Sequence, residues 1–402
     1  MKTNYTLSLL LVPFLLTSSA LHKNALGKEA LGKEASAKES SGKEVDKPTG
    51  TYASVITPRA VLNKNMKGGL VRVTWSEIEP KPGQFDFTRI EQQIGLLRPN
   101  MNWTLAIHGG WTSTQPEANN RGGSNFRGAR NSRGPAANRG PGNSRGRENF
   151  SRARSRPRSL SPEWLVSDLK AETFSMAFRG NPVEMPKYWD PLVQKRLKEM
   201  LVAVGNQYGT DPRLKLIYVP QMTSNGTEGH FNGVTTETLL QAAGINSRLK
   251  HAEMLFGNLW VKASGEAAQS VLEAFPNKAV AFEVHELLRS HQIPADLIKE
   301  FQKPKYENRV GIGMWWISGK TTYQGNVLKL LKDYQGDLYG QVIGRSDQKD
   351  RFQDGDYTSV FKQAQELGMR YIEPWNYEFE NHTHDETLAE FNTATKAKYS
   401  AK

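Results

Sequence analysis

The chain has 402 residues and a formal net charge of +12, room for one large domain or two ordinary ones. It contains no cysteine, which excludes disulfides, thiolate catalysis, cysteine-ligated zinc and lipoprotein anchoring. The charge is concentrated: residues 117–158 carry eleven arginines against Glu117 and Glu148, so the rest is close to neutral and offers no basic face for specific nucleic-acid binding.

Residues 1–20 have the form of an export signal, with Lys2, an apolar core at 7–16 and the small residues Ser18-Ser-Ala20. That core is too short to span a bilayer, and no other stretch is a candidate span. The expected location is secreted or periplasmic. A five-residue unit then repeats four times, from Ala25-Leu-Gly-Lys-Glu29 to Ser40-Ser-Gly-Lys-Glu44. A period of five fits neither a helix face nor a strand, so 21–50 reads as a low-complexity, solvated linker.

From residue 51 onward, strand-like and helix-like runs alternate. A first strand at 52–57 precedes a second at 70–75, where Leu70, Val71, Val73 and Trp75 are apolar and Arg72 points to the other face. The chain breaks at Pro80-Lys-Pro-Gly83 and restarts as a helix over 89–97. A third strand, 103–108, ends in His108. The tract 117–158, rich in Arg, Gly and Asn, has too little apolar area to offset its ordering entropy. It reads as a disordered insert whose one expected partner is a weakly held polyanion. Beyond it come a helix at 191–208, a strand at 214–220, helices at 235–257 and 266–274, and a strand at 279–284. The pattern continues with a helix at 294–301, a strand at 310–317, a helix at 326–333, a strand at 338–343, a helix at 357–367 and a strand at 370–374. Eight strands alternating with helices predict an α/β fold, a (β/α)8 TIM barrel over 51–395 interrupted by the insert. A doubly wound sheet is the alternative, weakened because no Gly-x-Gly-x-x-Gly turn follows the first strand.

The segment Val71-Arg-Val-Thr-Trp-Ser-Glu-Ile-Glu-Pro-Lys-Pro-Gly-Gln-Phe-Asp-Phe87 resembles the second strand and loop of clan A glycoside hydrolases, (β/α)8 barrels that include β-galactosidases and cellulases. Ser161-Pro-Glu-Trp-Leu165 and Met185-Pro-Lys-Tyr-Trp-Asp-Pro191 resemble the strand-3 loop of the β-galactosidase-like group. The resemblance implies a carbohydrate substrate and two carboxyl groups at strand ends, one protonating the leaving oxygen and one attacking or activating water. In that clan the acid/base closes strand 4, and Glu228 falls there. Thr227 precedes it where the clan has Asn, and Asn225 stands three positions back. The nucleophile closes strand 7, where this chain has Gln341, an amide that cannot do that work.

Glu373, at the end of strand 8, is the preferred second carboxylate; its structural reading is an ion pair with a barrel arginine. Arg72 resembles the clan's arginine beside the nucleophile, or is a solvated charge. His108 matches a frequent clan histidine, or is a structural hydrogen bonder. Trp111, Trp315 and Trp375 are candidate stacking surfaces for sugar rings. Of the adjacent Trp315 and Trp316, alternation lets at most one face the barrel mouth. Glu283, His285 and Glu286 match no metal-binding spacing, so neither metal nor cofactor is expected. Two readings remain: a secreted glycoside hydrolase, with Glu228 and Glu373 catalytic, or a carbohydrate-binding barrel that lacks the strand-7 nucleophile.

Overall fold

A computed structural model describes residues 45–113 and 159–399. The leader, the pentapeptide repeats and the 117–158 tract lie outside the described residues. Eight parallel strands close into a barrel: β1 (Gly50–Ala53), β2 (Gly68–Thr74), β3 (Asn102–His108), β4 (Leu214–Tyr218), β5 (Ala279–Glu283), β6 (Val310–Ile317), β7 (Leu338–Val342) and β8 (Tyr371–Glu373). β1 pairs with both β2 and β8, which closes the ring and excludes the open doubly wound sheet. All eight expected strands are present, and helices such as Pro191–Tyr208, Ala252–Ala274 and Gln292–Phe301 cover the outside.

Period-two alternation sorts the strand side chains. Val71, Val73, Leu105, Ile107, Ile217, Val280, Phe282 and Trp316 pack outward into the large core shared with the helices. A separate inner cluster holds Tyr52, Leu70, Ala106, Leu216, Tyr218, Ala279, Ala281, Trp315, Tyr339 and Tyr371. Trp315 therefore faces in and Trp316 faces out, as alternation requires. The interior is rich in tyrosine, and small neighbours make room for it. A Cβ at Gly311 would sit 2.4 Å from the Tyr339 ring.

The segment that carries the family resemblance folds as structure. Thr74 starts a helical turn, Trp75–Ile78, through a capping box with Glu77, so Trp75 ends no strand. Glu79 is fully buried, accepting from the Trp75 indole at 2.9 Å and from Gly83 N at 2.8 Å, and it pairs with Arg196. That carboxylate pins the Pro80–Gly83 turn. At the other end of the barrel, the chain is packed from residue 45, earlier than the expected boundary of 51. Lys47 bonds Asp337 at 2.5 Å, and Arg370 donates to Pro48 O at 3.2 Å.

After β3 the chain builds a three-stranded antiparallel sheet from Thr112–Ser113, Thr173–Phe178 and Asn181–Pro186. Arg179 and Gly180 both take positive φ, 52° and 83°, giving the two-residue hairpin turn that matches strand twist. Among the described residues, no helix is long and apolar enough to cross a membrane.

Candidate functional site

The C-terminal ends of the strands form a mouth, where Glu373 ends β8. This carboxylate has no accessible surface. Oε1 accepts from Tyr218 Oη at 3.0 Å and Tyr371 Oη at 2.5 Å, while Oε2 accepts from Gln341 Nε2 at 2.5 Å. Register explains the last contact, because Gln341 and Glu373 are paired across β7 and β8. Arg72 lies above, its guanidinium 4.7 Å from the centre of the Trp315 ring. Burial pushes the Glu373 carboxyl above its usual range, although Arg72 and the three donors oppose the shift. Arg72 Nε and Nη2 are buried with no partner among the described residues.

The loop after β4 forms one wall of the rim. Gly226 takes φ 79°, and a Cβ there would meet Gly109 O at 2.2 Å, so only glycine lets this loop lie against β3. The turn brings Asn225 O to His108 Nδ1 at 2.7 Å, with Thr227 Oγ1 3.2 Å from the same nitrogen. Donation to a carbonyl puts the proton on Nδ1 and leaves Nε2 of the neutral ring an acceptor. Glu228 follows, its side chain one quarter exposed and 2.9 Å from His230 Nε2. Burial pushes its carboxyl up, but His230, the charge of His285 and Asn225 outweigh this and hold it below the usual range. On β5, Glu283 is fully buried. Its carboxylate accepts from Gly229 N at 2.6 Å and Trp315 N at 3.2 Å, and lies 2.8 Å from His285 Nδ1. A carboxylate oxygen of Glu228 and ring nitrogens of His230 and His285 lie within 4.8 Å of one another. Beside them a cavity of about 1110 Å³ opens, lined by His230, Phe231, His251, Met254, Glu286 and Arg289 among others.

Of the residues singled out from sequence, Arg72, Trp315, Gln341 and Glu373 meet inside the barrel, and His108, Asn225 and Glu228 share the rim. Arg72 is enclosed over Trp315 and is no solvated surface charge. Glu373, the preferred second carboxylate, has no accessible surface and is engaged by Gln341 and two tyrosines. Trp375 is half-buried and fixed by donation from its indole to Val342 O at 2.9 Å. Trp111 offers no face to the mouth: it is 2 % exposed, donates to Ser224 O at 3.0 Å and stacks on Phe178. Trp315 is 4 % exposed and lies against Arg72, so it is no open platform either. His230 escaped notice in the sequence, and Glu283 with His285 matched no motif. The available signal was a Glu-x-His tripeptide, Glu228-Gly-His230 in the loop after β4 and Glu283-Val-His285 at the end of β5, a pattern shared by Glu380-Asn-His382.

His108 supplies a direct check. Burial, reinforced by the Arg72 charge, lowers its pKa from 6.5 to about 4. A depressed folded-state value means that its contribution to stability is complete above pH 6.5 and is lost as the pH falls through about 4. The full loss is about 3 kcal/mol. NMR titration of the ring should give a midpoint near pH 4, and His108→Gln should flatten that part of the stability profile. A midpoint between 6 and 7 would contradict the buried, neutral ring.

No protein-family model matches this sequence, and no curated protein matches it. Solved structures do match. The catalytic domain of the β-amylase from Paenibacillus polymyxa aligns at TM-score 0.55 and 11% identity, covering 88% of this chain and 99% of that one. The β-galactosidase from Rahnella sp. R3 aligns at TM-score 0.48 and 8% identity, covering 88% and 57%. Xylanase 10B from Thermotoga maritima aligns at 0.43 and 10%, covering 87% and 96%. The chain folds as a glycoside-hydrolase-like (β/α)8 barrel. At such identities the likeness is one of fold, and the chemistry of this barrel rests on its own side chains.

Proposed function

We propose that this barrel binds a carbohydrate chain at its C-terminal mouth and does not cleave it with a pair of carboxyl groups. One observation carries the reading. The end of β7 holds the amide Gln341, and the strand-end carboxylate behind it, Glu373, is fully buried with both oxygens engaged. Glycosidic hydrolysis needs two carboxyls that reach opposite sides of the bond. The groups nearer the rim suit recognition: the acceptor Nε2 of His108, the Asn225 amide and the half-buried Trp375. With residues 1–20 read as an export signal, the glycan is met outside the cytoplasm.

Hydrolysis led by Glu228 is the second reading, favoured by that side chain's exposure at the end of the β4 loop. Against it, the carboxyl is held below the usual range, the opposite of what a proton donor requires.

Calorimetric titration against a panel of neutral and acidic oligosaccharides tests the binding claim. At least one should bind, and Trp375→Ala should weaken it about tenfold or more, the loss of one stacked ring face, while Trp375→Phe keeps most of the affinity. A panel with no ligand tighter than millimolar, or binding indifferent to Trp375→Ala, would overturn the proposal.

A further inference from the structure

We infer that Glu228, His230 and His285 form a binding site for a divalent transition-metal ion of the zinc class at the rim of the barrel. The inference does not rest on the carbohydrate reading. Two histidines and one glutamate are a set that zinc accepts while keeping a position open for water or a ligand. Ligand atoms around a tetrahedral zinc stand about 3.4 Å apart, given bonds of about 2.1 Å. Here the three candidate atoms already lie within 4.8 Å of one another, with Glu228 Oε2 and His230 Nε2 at 2.9 Å.

The groups behind the three strengthen the case. Glu283 holds His285 through Nδ1, at 2.8 Å from one carboxylate oxygen and 3.0 Å from the other. That bond keeps a proton on Nδ1, so Nε2 is the nitrogen that an ion would take by displacing its proton, the arrangement carboxylates impose on metal-binding histidines. Glu283 is itself rigid, anchored by Gly229 N and Trp315 N inside the barrel wall. His230 and His285 pack edge to face at 4.7 Å, so neither ring lies flat over the other. Nδ1 of His230 has no partner among the described residues, and no bond through that nitrogen opposes a turn of the ring toward the ion. An entry path exists as well: Glu228 is one quarter exposed and His230 lines the cavity. One Glu-x-His tripeptide lies in the loop after β4 and another begins at the last residue of β5; both histidines and Glu228 become ligands and Glu283 the support.

A bound ion would occupy Glu228 and withdraw it from proton transfer. Its remaining position would face the cavity, where water or an oxygen of a ligand completes the shell.

The test uses the untagged, full-length protein, stripped with a chelator, loaded with Zn²⁺ and passed through a desalting column before elemental analysis. One zinc per chain is expected, as is an intense visible absorption from Co²⁺ substituted into the same site, a signature of low coordination that needs no variant. His285→Ala and His230→Ala should abolish retention with the thermal transition intact. Glu283→Gln should weaken binding 10–100-fold, the effect of losing the supporting carboxylate. Sub-stoichiometric zinc in the wild-type protein, binding of Ca²⁺ but not Zn²⁺, or retention unchanged in both histidine variants would each overturn the site. Running the glycan titration with and without chelator separates the two proposals, since either site can fail while the other binds.

Discussion

Glu373→Ala should cost the protein roughly 3–5 kcal/mol of stability, the range for removing one partner of a buried charge network. Tyr218, Tyr371 and Gln341 all lose their acceptor inside the barrel, and Arg72 loses the carboxylate whose charge acts on it most. Each orphaned donor keeps its desolvation cost. Glu373→Gln should lose less, because the amide oxygen still accepts from the tyrosines. The pH dependence separates the charge from the packing. The folded-state pKa of Glu373 is raised by burial, so its contribution is complete below the ordinary carboxylate value of 4.5 and is lost as the pH rises through the folded value. Urea unfolding from pH 4 to 8 should show this component in the wild type and not in Glu373→Gln. A Glu373→Ala protein within 0.5 kcal/mol of wild type would mean that the network does not hold the barrel together.

Gln341→Glu should be the second large perturbation. The substitution replaces the donor 2.5 Å from Glu373 Oε2 with a second carboxylate in the same buried site. Two like charges in that setting cannot both ionise, and the pair should titrate as a unit sharing one proton. The expected loss at neutral pH is about 2–4 kcal/mol, within the range for breaking a buried hydrogen-bond network, and mild acid should recover part of it. No new glycosidase activity is expected, since residue 341 is 4 % exposed and its side chain is directed at Glu373. A Gln341→Glu protein that is stable at pH 7 and hydrolyses a glycan would instead identify this position as a nucleophile's place that the amide has silenced.

The barrel was legible because its signals are local. Runs such as Leu214–Tyr218 and Val310–Ile317 are short, apolar and bounded by loops, and alternation alone placed Trp315 inside and Trp316 outside. The Thr173–Pro186 hairpin was not legible, although Phe174, Met176 and Phe178 alternate with exposed neighbours. Its Arg179-Gly180 turn follows a tract where that dipeptide is common, and the hairpin interrupts the β/α rhythm on which the reading depended. The site was half legible. Strand ends identified Arg72, His108, Gln341 and Glu373, but depth along the barrel is a tertiary quantity, so sequence could not reveal that Glu373 is sealed. Trp111 lies just past Gly109 and Gly110, where a φ of 123° at Gly110 redirects the chain and sends the indole to Ser224 rather than to the mouth. The convergence of His230 with His285 depends on the left-handed turn at Gly226 and on the adjacency of β4 and β5, neither of which is encoded in the spacing of the histidines.

The central claim is a sugar-binding mouth without a hydrolytic carboxyl pair. Prolonged incubation of the wild-type protein with the oligosaccharide it binds most tightly, followed by quantification of new reducing ends against a Glu228→Gln control, tests it most directly. The glycan should be recovered intact, and the two proteins should be indistinguishable. Reducing ends that accumulate with the wild type and disappear with Glu228→Gln would contradict it.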